Sequence, residues 1–188
     1  LGYLIIYLEL ENDGQVTVDM GVPSFEPESL PFEADATDEV DAEYHQLVVN
    51  GEKYAIGAVS MGNPHAVLLV DSVDKAPVET LGAAIESHER FPERVNVGFM
   101  EILDRAHIRL RVFERGAGET LACGTGAIAS AIVSACQFQM SSPIDVKTRS
   151  GEYLRIYFNK KDGRFYQIYM EGDARIIYTG ELRPDAFK

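Results

Sequence analysis

The chain has 188 residues, room for one domain of ordinary size with some material over. Its 30 acidic and 17 basic residues leave a formal net charge of −13, which argues against a nucleic-acid binder and against a polybasic anchor for an anionic membrane. Apolar residues at 46% supply a real core, and 2 cysteines are too few for a disulfide-built secreted scaffold, so a reducing, cytoplasmic setting is expected.

No apolar run is long enough to span a bilayer, and no signal-peptide pattern opens the chain. It starts at Leu1 and runs straight into Leu4-Ile5-Ile6-Tyr7-Leu8, which reads as a domain cut from a longer protein. Strands are expected at Tyr3 to Leu10 and Gln15 to Met20, with Asp13-Gly14 as the hairpin signal between them. Pro23, Pro27 and Pro31 then impose a crossover or hinge, and Phe32 to Glu43 reads as an acidic loop.

Further strands are expected at Gln46 to Val49, Lys53 to Ser60 and Ala66 to Val70, the first two joined at Asn50-Gly51. Val78 to Glu89 carries apolar residues at Val78, Leu81 and Ile85, the spacing of a surface helix. Strands follow at Val95 to Leu103, His107 to Phe113, Ile144 to Thr148, Tyr153 to Phe158, Phe165 to Met170 and Arg175 to Tyr178, punctuated by Gly151, Asp162-Gly163 and Gly172-Asp173. Gly126 to Phe138 differs, because it is helical in composition but has no charge and no polar face. Such a helix must be enclosed by other elements. The expected fold is therefore α+β, a strongly curved, barrel-like and mostly antiparallel sheet wrapped around a buried central helix.

Gly116-Ala-Gly-Glu-Thr-Leu-Ala-Cys-Gly-Thr-Gly126 places Cys123 at the first turn of that helix, among glycines that let a ligand approach the backbone. Unpaired N–H groups and the positive helix end lower a thiol's pKa and attract carboxylate or phosphate. Taken alone, Cys123 is equally well a small buried residue. Cys136, about 20 Å further along the same helix, cannot pair with it and reads as core. Alkylation at neutral pH is accordingly expected to label Cys123 first.

Three weaker signals accompany it. Met61-Gly-Asn-Pro-His65 puts an amide and an imidazole on a rigid turn, Asn96 interrupts an apolar strand, and Glu114-Arg115 stands just before the cysteine loop. A histidine or a charged strand end is each readily structural. Together, a thiol, a carboxylate able to accept its proton, an arginine and two asparagines look like an amino-acid site. No Cys/His cluster has metal spacing, so no metal is expected.

On Met61 to His65, on Glu86-Ser-His-Glu-Arg-Phe-Pro-Glu-Arg94 with Asn96, and on Glu114 to Gly126, the chain resembles the diaminopimelate epimerase family from about Val16 to Tyr178. Proline racemase-like enzymes share Cys-Gly-Thr-Gly, but the Gly-Ala-Gly-Glu-Thr lead-in favours the epimerases. The resemblance implies cofactor-independent interconversion of LL- and meso-diaminopimelate, for lysine and peptidoglycan precursors, by two cysteines on opposite faces of the α-carbon. Cys123 matches the C-terminal cysteine. The Cys-Gly-Asn-Gly and Gly-Asn-Asp-Phe motifs of the N-terminal half have no counterpart in these residues. Residues 24–172 would then be the C-terminal domain, and 1–23 and 173–188 flanking strands of an N-terminal domain that supplies the other thiol.

By the same resemblance Cys123, Glu114 and His65 are catalytic, His65 serving the opposing cysteine. Asn63, Asn96, Glu114 and Arg115 bind the distal amino-acid end, and the Gly124 and Thr125 N–H groups receive the α-carboxylate. No cofactor is implied, and the partners are diaminopimelate, the N-terminal domain and a second copy in a homodimer. A carboxylate- or phosphate-binding domain without turnover is the alternative from another class, and a structural or dimerisation module a third.

Overall fold

The computed structural model describes residues 7–10, 14–33, 44–175, 177 and 179–181. In chain order these form β1 (Leu8–Leu10), β2 (Gln15–Asp19), a 3-10 turn at Pro27–Ser29, β3 (His45–Val49), β4 (Glu52–Ser60), β5 (Pro64–Leu69), α1 (Val78–Glu86), β6 (Asn96–Ile102) and β7 (His107–Glu114). There follow β8 (Gly118–Thr120), α2 (Gly124–Gln137), β9 (Ile144–Lys147), β10 (Tyr153–Lys161) and β11 (Arg164–Asp173). The Asn50-Gly51 and Asp162-Gly163 pairs both hold positive φ, at 52° and 83° and at 51° and 77°, and each closes a two-residue hairpin.

The strands form one sheet in the order β1-β2-β11-β10-β9-β7-β6-β5-β4-β3, with β8 on the edge of β7. The expected antiparallel pairing prevails, but β5–β6 and β7–β9 run parallel, so the sheet is mixed. Parallel neighbours need a crossover, and the two helices are those crossovers, α1 between β5 and β6 and α2 between β7 and β9. Both step the same way along the sheet, yet β5 and β7 point in opposite directions. The right-handed rule for crossovers then puts the helices on opposite faces. Two separate cores reflect this: Val78 and Ile85 of α1 pack with Val97, Phe99 and Leu30 on one face, while α2 packs with Val67, Met100, Leu110 and Ile156 on the other.

The charge-free helix is enclosed as its composition demands. Every residue of α2 from Gly126 to Ala135 is buried, and it touches β4, β5, β6, β7, β9 and β10. Ile128 and Ile132, both 0% exposed, each contribute about 1.5–3 kcal/mol of hydrophobic stabilisation. Buried Ser130 and Ser134 satisfy their hydroxyls within the helix, on the carbonyls of Gly126 and Ala131.

Some boundaries differ from expectation. Helix α1 stops at Glu86 rather than Glu89, because Ser87 folds its hydroxyl back onto the Ala83 carbonyl and His88 N–H turns to Ile85. Strand β8 was not expected; its three residues lie inside the cysteine loop and carry no strand periodicity. Residues 11–13, 34–43, 176 and 178 lie outside the described residues. The opening turn, most of the acidic loop and the last expected strand fall there, though Arg175 and Ile177 are not in a strand. Strand β2 pairs with β11 from Asp19–Tyr169 to Gln15–Asp173, and Ser24 makes a separate isolated bridge to Ser60 at the end of β4.

Candidate active site

The strand ends at the start of α2 gather the chemistry. His65 of β5 lies beside Asn96 of β6, and one step beyond the Val97–Phe113 pair Asn96 faces Glu114 of β7, which in turn pairs with Gly118 of β8. Alternation along each strand puts these side chains on the α2 face, with Val67, Met100 and Val112. Three strands thus deliver one lateral row of side chains, His65, Asn96 and Glu114, toward the N-terminus of the buried helix.

Cys123 is the residue just before that helix, in extended conformation (φ −139°, ψ 111°), and is 7% exposed. Its sulfur lies 3.7 Å from Thr125 Oγ1. Burial, first of all, pushes the thiol above its ordinary pKa; the Thr125 hydroxyl and the Gly126 N–H pull it back, and the neighbouring Glu114 carboxylate adds to the rise. The low-pKa thiol expected from a helix start is therefore not what the fold produces. At rest Cys123 carries its proton.

Glu114 accepts a hydrogen bond from Thr120 Oγ1 at 2.6 Å, which holds the carboxylate beside the thiol. Thr125 Oγ1 accepts from Asn63 Nδ2 at 3.3 Å, and Asn63 Oδ1 faces His65 Nε2 at 3.2 Å. His65 is 1% exposed, and burial, helped by the Arg115 charge, lowers its pKa to about 3, so it is neutral at any working pH. With Asn63 Oδ1 as acceptor, the ring proton is on Nε2.

Asn96 and Arg115 form a second group. The buried Asn96 amide donates to the Pro64 carbonyl at 3.0 Å and accepts the Arg115 N–H at 3.0 Å, so both of its polar atoms are engaged by the backbone. The Arg115 guanidinium reaches the Glu93 carbonyl at 3.2 Å. Gly124 and Thr125 open α2 with the unpaired N–H groups of a helix start. A Cβ on Gly124 would come within 3.1 Å of the Met170 thioether, so glycine there makes room for β11.

Several residues in this region escaped the sequence reading. Glu119, its side chain 4% exposed, bonds Arg111 through both oxygens at 2.6 and 2.8 Å and also meets Arg149 at 3.3 Å, clasping β8 to β7. The alternation of Arg109 and Arg111 with Ile108, Leu110 and Val112 was the available signal, since it marks a polar strand face in need of acids. Buried Glu86 accepts the Gly116 N–H at 3.0 Å and pairs with Arg94, fixing the other end of the loop. Thr120 and Met170 had no local signal.

A shallow recess beside the thiol is lined by Leu110, Val112, Leu121, Ala122 and Thr148, with Leu121 63% exposed at its rim. A larger cavity of about 510 Å³ lies elsewhere, against β2, β10 and β11, and none of the candidate residues lines it. Among the described residues no group of three His, Cys, Asp or Glu is placed to hold a metal ion, and no helix is long and apolar enough to cross a membrane.

The sequence profile of the family described as Diaminopimelate epimerase matches residues 57–177, which include every candidate residue above. The chain belongs to the diaminopimelate epimerase family. It is 51% identical over 178 residues to the diaminopimelate epimerase of Alkalilimnicola ehrlichii, a match covering 95% of this chain and 61% of that protein. Against the diaminopimelate epimerase of Aromatoleum aromaticum the identity is 52% over 181 residues, with 96% and 62% covered. The chain therefore spans about three-fifths of the length of these curated relatives. Its fold is shared with a Bacillus anthracis phenazine biosynthesis protein of the PhzF family, at a TM-score of 0.55 and 16% identity over 89% of this chain and 61% of that one. That likeness concerns the fold of this epimerase-family chain alone.

Proposed function

We propose that this chain carries one face of a cofactor-independent diaminopimelate epimerase site, with Cys123 as the acid/base thiol for that face. The observation that carries this reading is the placement of Cys123: a protonated thiol at the start of a charge-free buried helix, beside Glu114, in a chain of this family. Residues 24–172 are read as the C-terminal domain, its sheet curving around α2, with a second domain supplying the opposing thiol that His65 serves. The setting is the cytoplasm and the assembly a homodimer.

In this mechanism the substrate α-carboxylate sits on the Gly124 and Thr125 N–H groups, where the helix end stabilises the charge that grows as the α-proton leaves. Each such donor is worth about 2.7–4 kcal/mol in the transition state. Cys123 delivers its proton to one face, or as thiolate removes one, with Glu114 taking up the thiol proton. Arg115, Asn63 and Asn96 hold the distal amino-acid end, which requires the Asn96 amide to exchange a backbone partner for substrate. Inversion needs groups on both faces of the carbon, so the 188 residues by themselves are expected to turn over nothing.

The test is conversion of LL- to meso-diaminopimelate. This chain alone should show none, while a fusion with the N-terminal part of the Alkalilimnicola ehrlichii relative placed ahead of it should convert. Conversion by the chain alone, or undiminished conversion by the fusion carrying Cys123→Ala, would show that the acid/base assignment is wrong. Tight binding of diaminopimelate with no conversion by the fusion would favour the binding-domain reading instead.

A further inference from the structure

His65, Asn63, Thr125 and Cys123 form an unbroken row from the interior to the thiol, with separations of 3.2, 3.3 and 3.7 Å. The Asn63 amide sets its direction. Its Oδ1 can only accept, and it faces Nε2 of His65, which lies inside the sheet between β4 and β6 and therefore donates. That leaves the Asn63 amino group to donate to Thr125 Oγ1. The oxygen of Thr125 is then occupied as an acceptor, and its single proton has the Cys123 sulfur within reach.

We propose that Thr125 is a positioning residue for Cys123: its hydroxyl, oriented by the His65–Asn63 pair, donates to the sulfur and stabilises the thiolate as it forms. No proton passes along the row, because an amide does not shuttle one; it acts through aligned dipoles in a low-dielectric setting. Its task is to oppose burial and the Glu114 carboxylate from β7, which among the described residues is the acid that acts on the sulfur. The neighbours on other elements carry no opposing charge: Thr120 of β8 and Met170 of β11 are neutral, α2 has no charged residue, and Glu119 is already paired with Arg111 and Arg149. The proposal rests on Cys123 being the acid/base group, but thiol ionisation can be read without turnover, so the two ideas fail separately.

The experiment follows iodoacetamide alkylation of Cys123 against pH in the 188-residue chain by peptide mapping, with Cys136 as reference in the same samples. Thr125→Val is expected to raise the Cys123 midpoint by about one pH unit, as loss of a hydrogen bond to a charged group implies. Thr125→Ser should keep the native midpoint, Asn63→Leu should raise it by a smaller amount, and Cys136 should not move. Should Thr125→Val fail to fold by circular dichroism, the serine and Asn63→Leu variants decide by the same directions. An unmoved midpoint in Thr125→Val, or an equal shift in Thr125→Ser, overturns the proposal, since a hydroxyl pointing the other way gives that result. A raised midpoint in a fusion that never converts diaminopimelate would fault the epimerase reading and leave this one standing.

Discussion

Cys123 and Cys136 stand at opposite ends of one charge-free helix, in settings that the helix itself does not explain. The N-terminal thiol is 7% exposed, faces Glu114 and lies beside Thr125. The C-terminal thiol is only partly buried, and the Lys160 ammonium approaches its sulfur to 3.9 Å. A helix dipole favours the thiolate at the first end by about 0.3–1 kcal/mol at the surface. Burying an ion costs several kcal/mol, so desolvation wins and the N-terminal thiol rises. Position on a helix predicts reactivity only where water still reaches the group.

The most severe test of that contrast is catalytic. In the two-domain fusion, Cys123→Ala should lower conversion by about 10²–10⁴-fold, the usual worth of a general acid or base, while Cys136→Ala keeps most of it. Comparable losses at the two ends would erase the distinction.

The second test concerns what holds the N-terminal end in place. Glu119→Gln removes the acid between Arg111 and Arg149 and should destabilise the chain by about 2–3 kcal/mol in urea unfolding. Arg111 beside it holds the Glu119 carboxyl below its ordinary 4.5. A depressed carboxyl stabilises the fold fully above 4.5, and that contribution disappears as pH falls through the lower folded value. The native chain should therefore lose stability with acid in a window that the glutamine variant lacks. Identical acid profiles would mean that the clasp contributes nothing.

Packing at the two ends gives a third, smaller contrast. A Cβ on Gly57 would lie 2.6 and 2.8 Å from the two methyls of Val133, near the C-terminal end of α2, and although the Gln137 amide at 2.9 Å can swing away, the short, branched Val133 cannot. Gly57→Ala should cost about 1–3 kcal/mol in thermal unfolding. Gly124→Ala meets only the flexible end of Met170 at 3.1 Å and should stay within about 1 kcal/mol. Equal costs would mean that β11 is packed on the helix start as rigidly as β4 is on the helix body.

The mildest test is alkylation order. Cys136 should be labelled a few-fold before Cys123 at neutral pH, the reverse of the order expected from helix position. The gap should narrow as pH rises through the thiol range, because a raised pKa leaves less thiolate at pH 7. Faster labelling of Cys123 would show that the helix end outweighs burial after all.

Much of this site is legible along the chain. The Gly116–Gly126 block announces a cysteine at a helix start, and the same block resembles the epimerases closely enough to name a reaction. Asn63 and His65 are legible because Gly62, at φ 87°, and Pro64 mark a tight turn that must present its side chains at a strand end. The donor sequence from His65 to Cys123 is not legible, since residue 63 lies in the turn between β4 and β5 and residue 125 in α2, which only the tertiary fold brings together. Glu119 and Glu86 hide for the same reason: a buried carboxylate looks like any surface acid until its arginine is seen.

Sequence alone determines the local features of this protein. The positive-φ pairs at Asn50-Gly51 and Asp162-Gly163 dictate hairpins, and the absence of charge from Gly126 to Ala135 dictates a buried helix, because both depend only on neighbours in the chain. Tertiary structure alone decides that the sheet is mixed, that α1 and α2 occupy opposite faces, that β8 exists, and that His65 is neutral while Cys123 keeps its proton. Strand direction and desolvation are properties of what surrounds a residue, and here those surroundings come from elements far away in the chain.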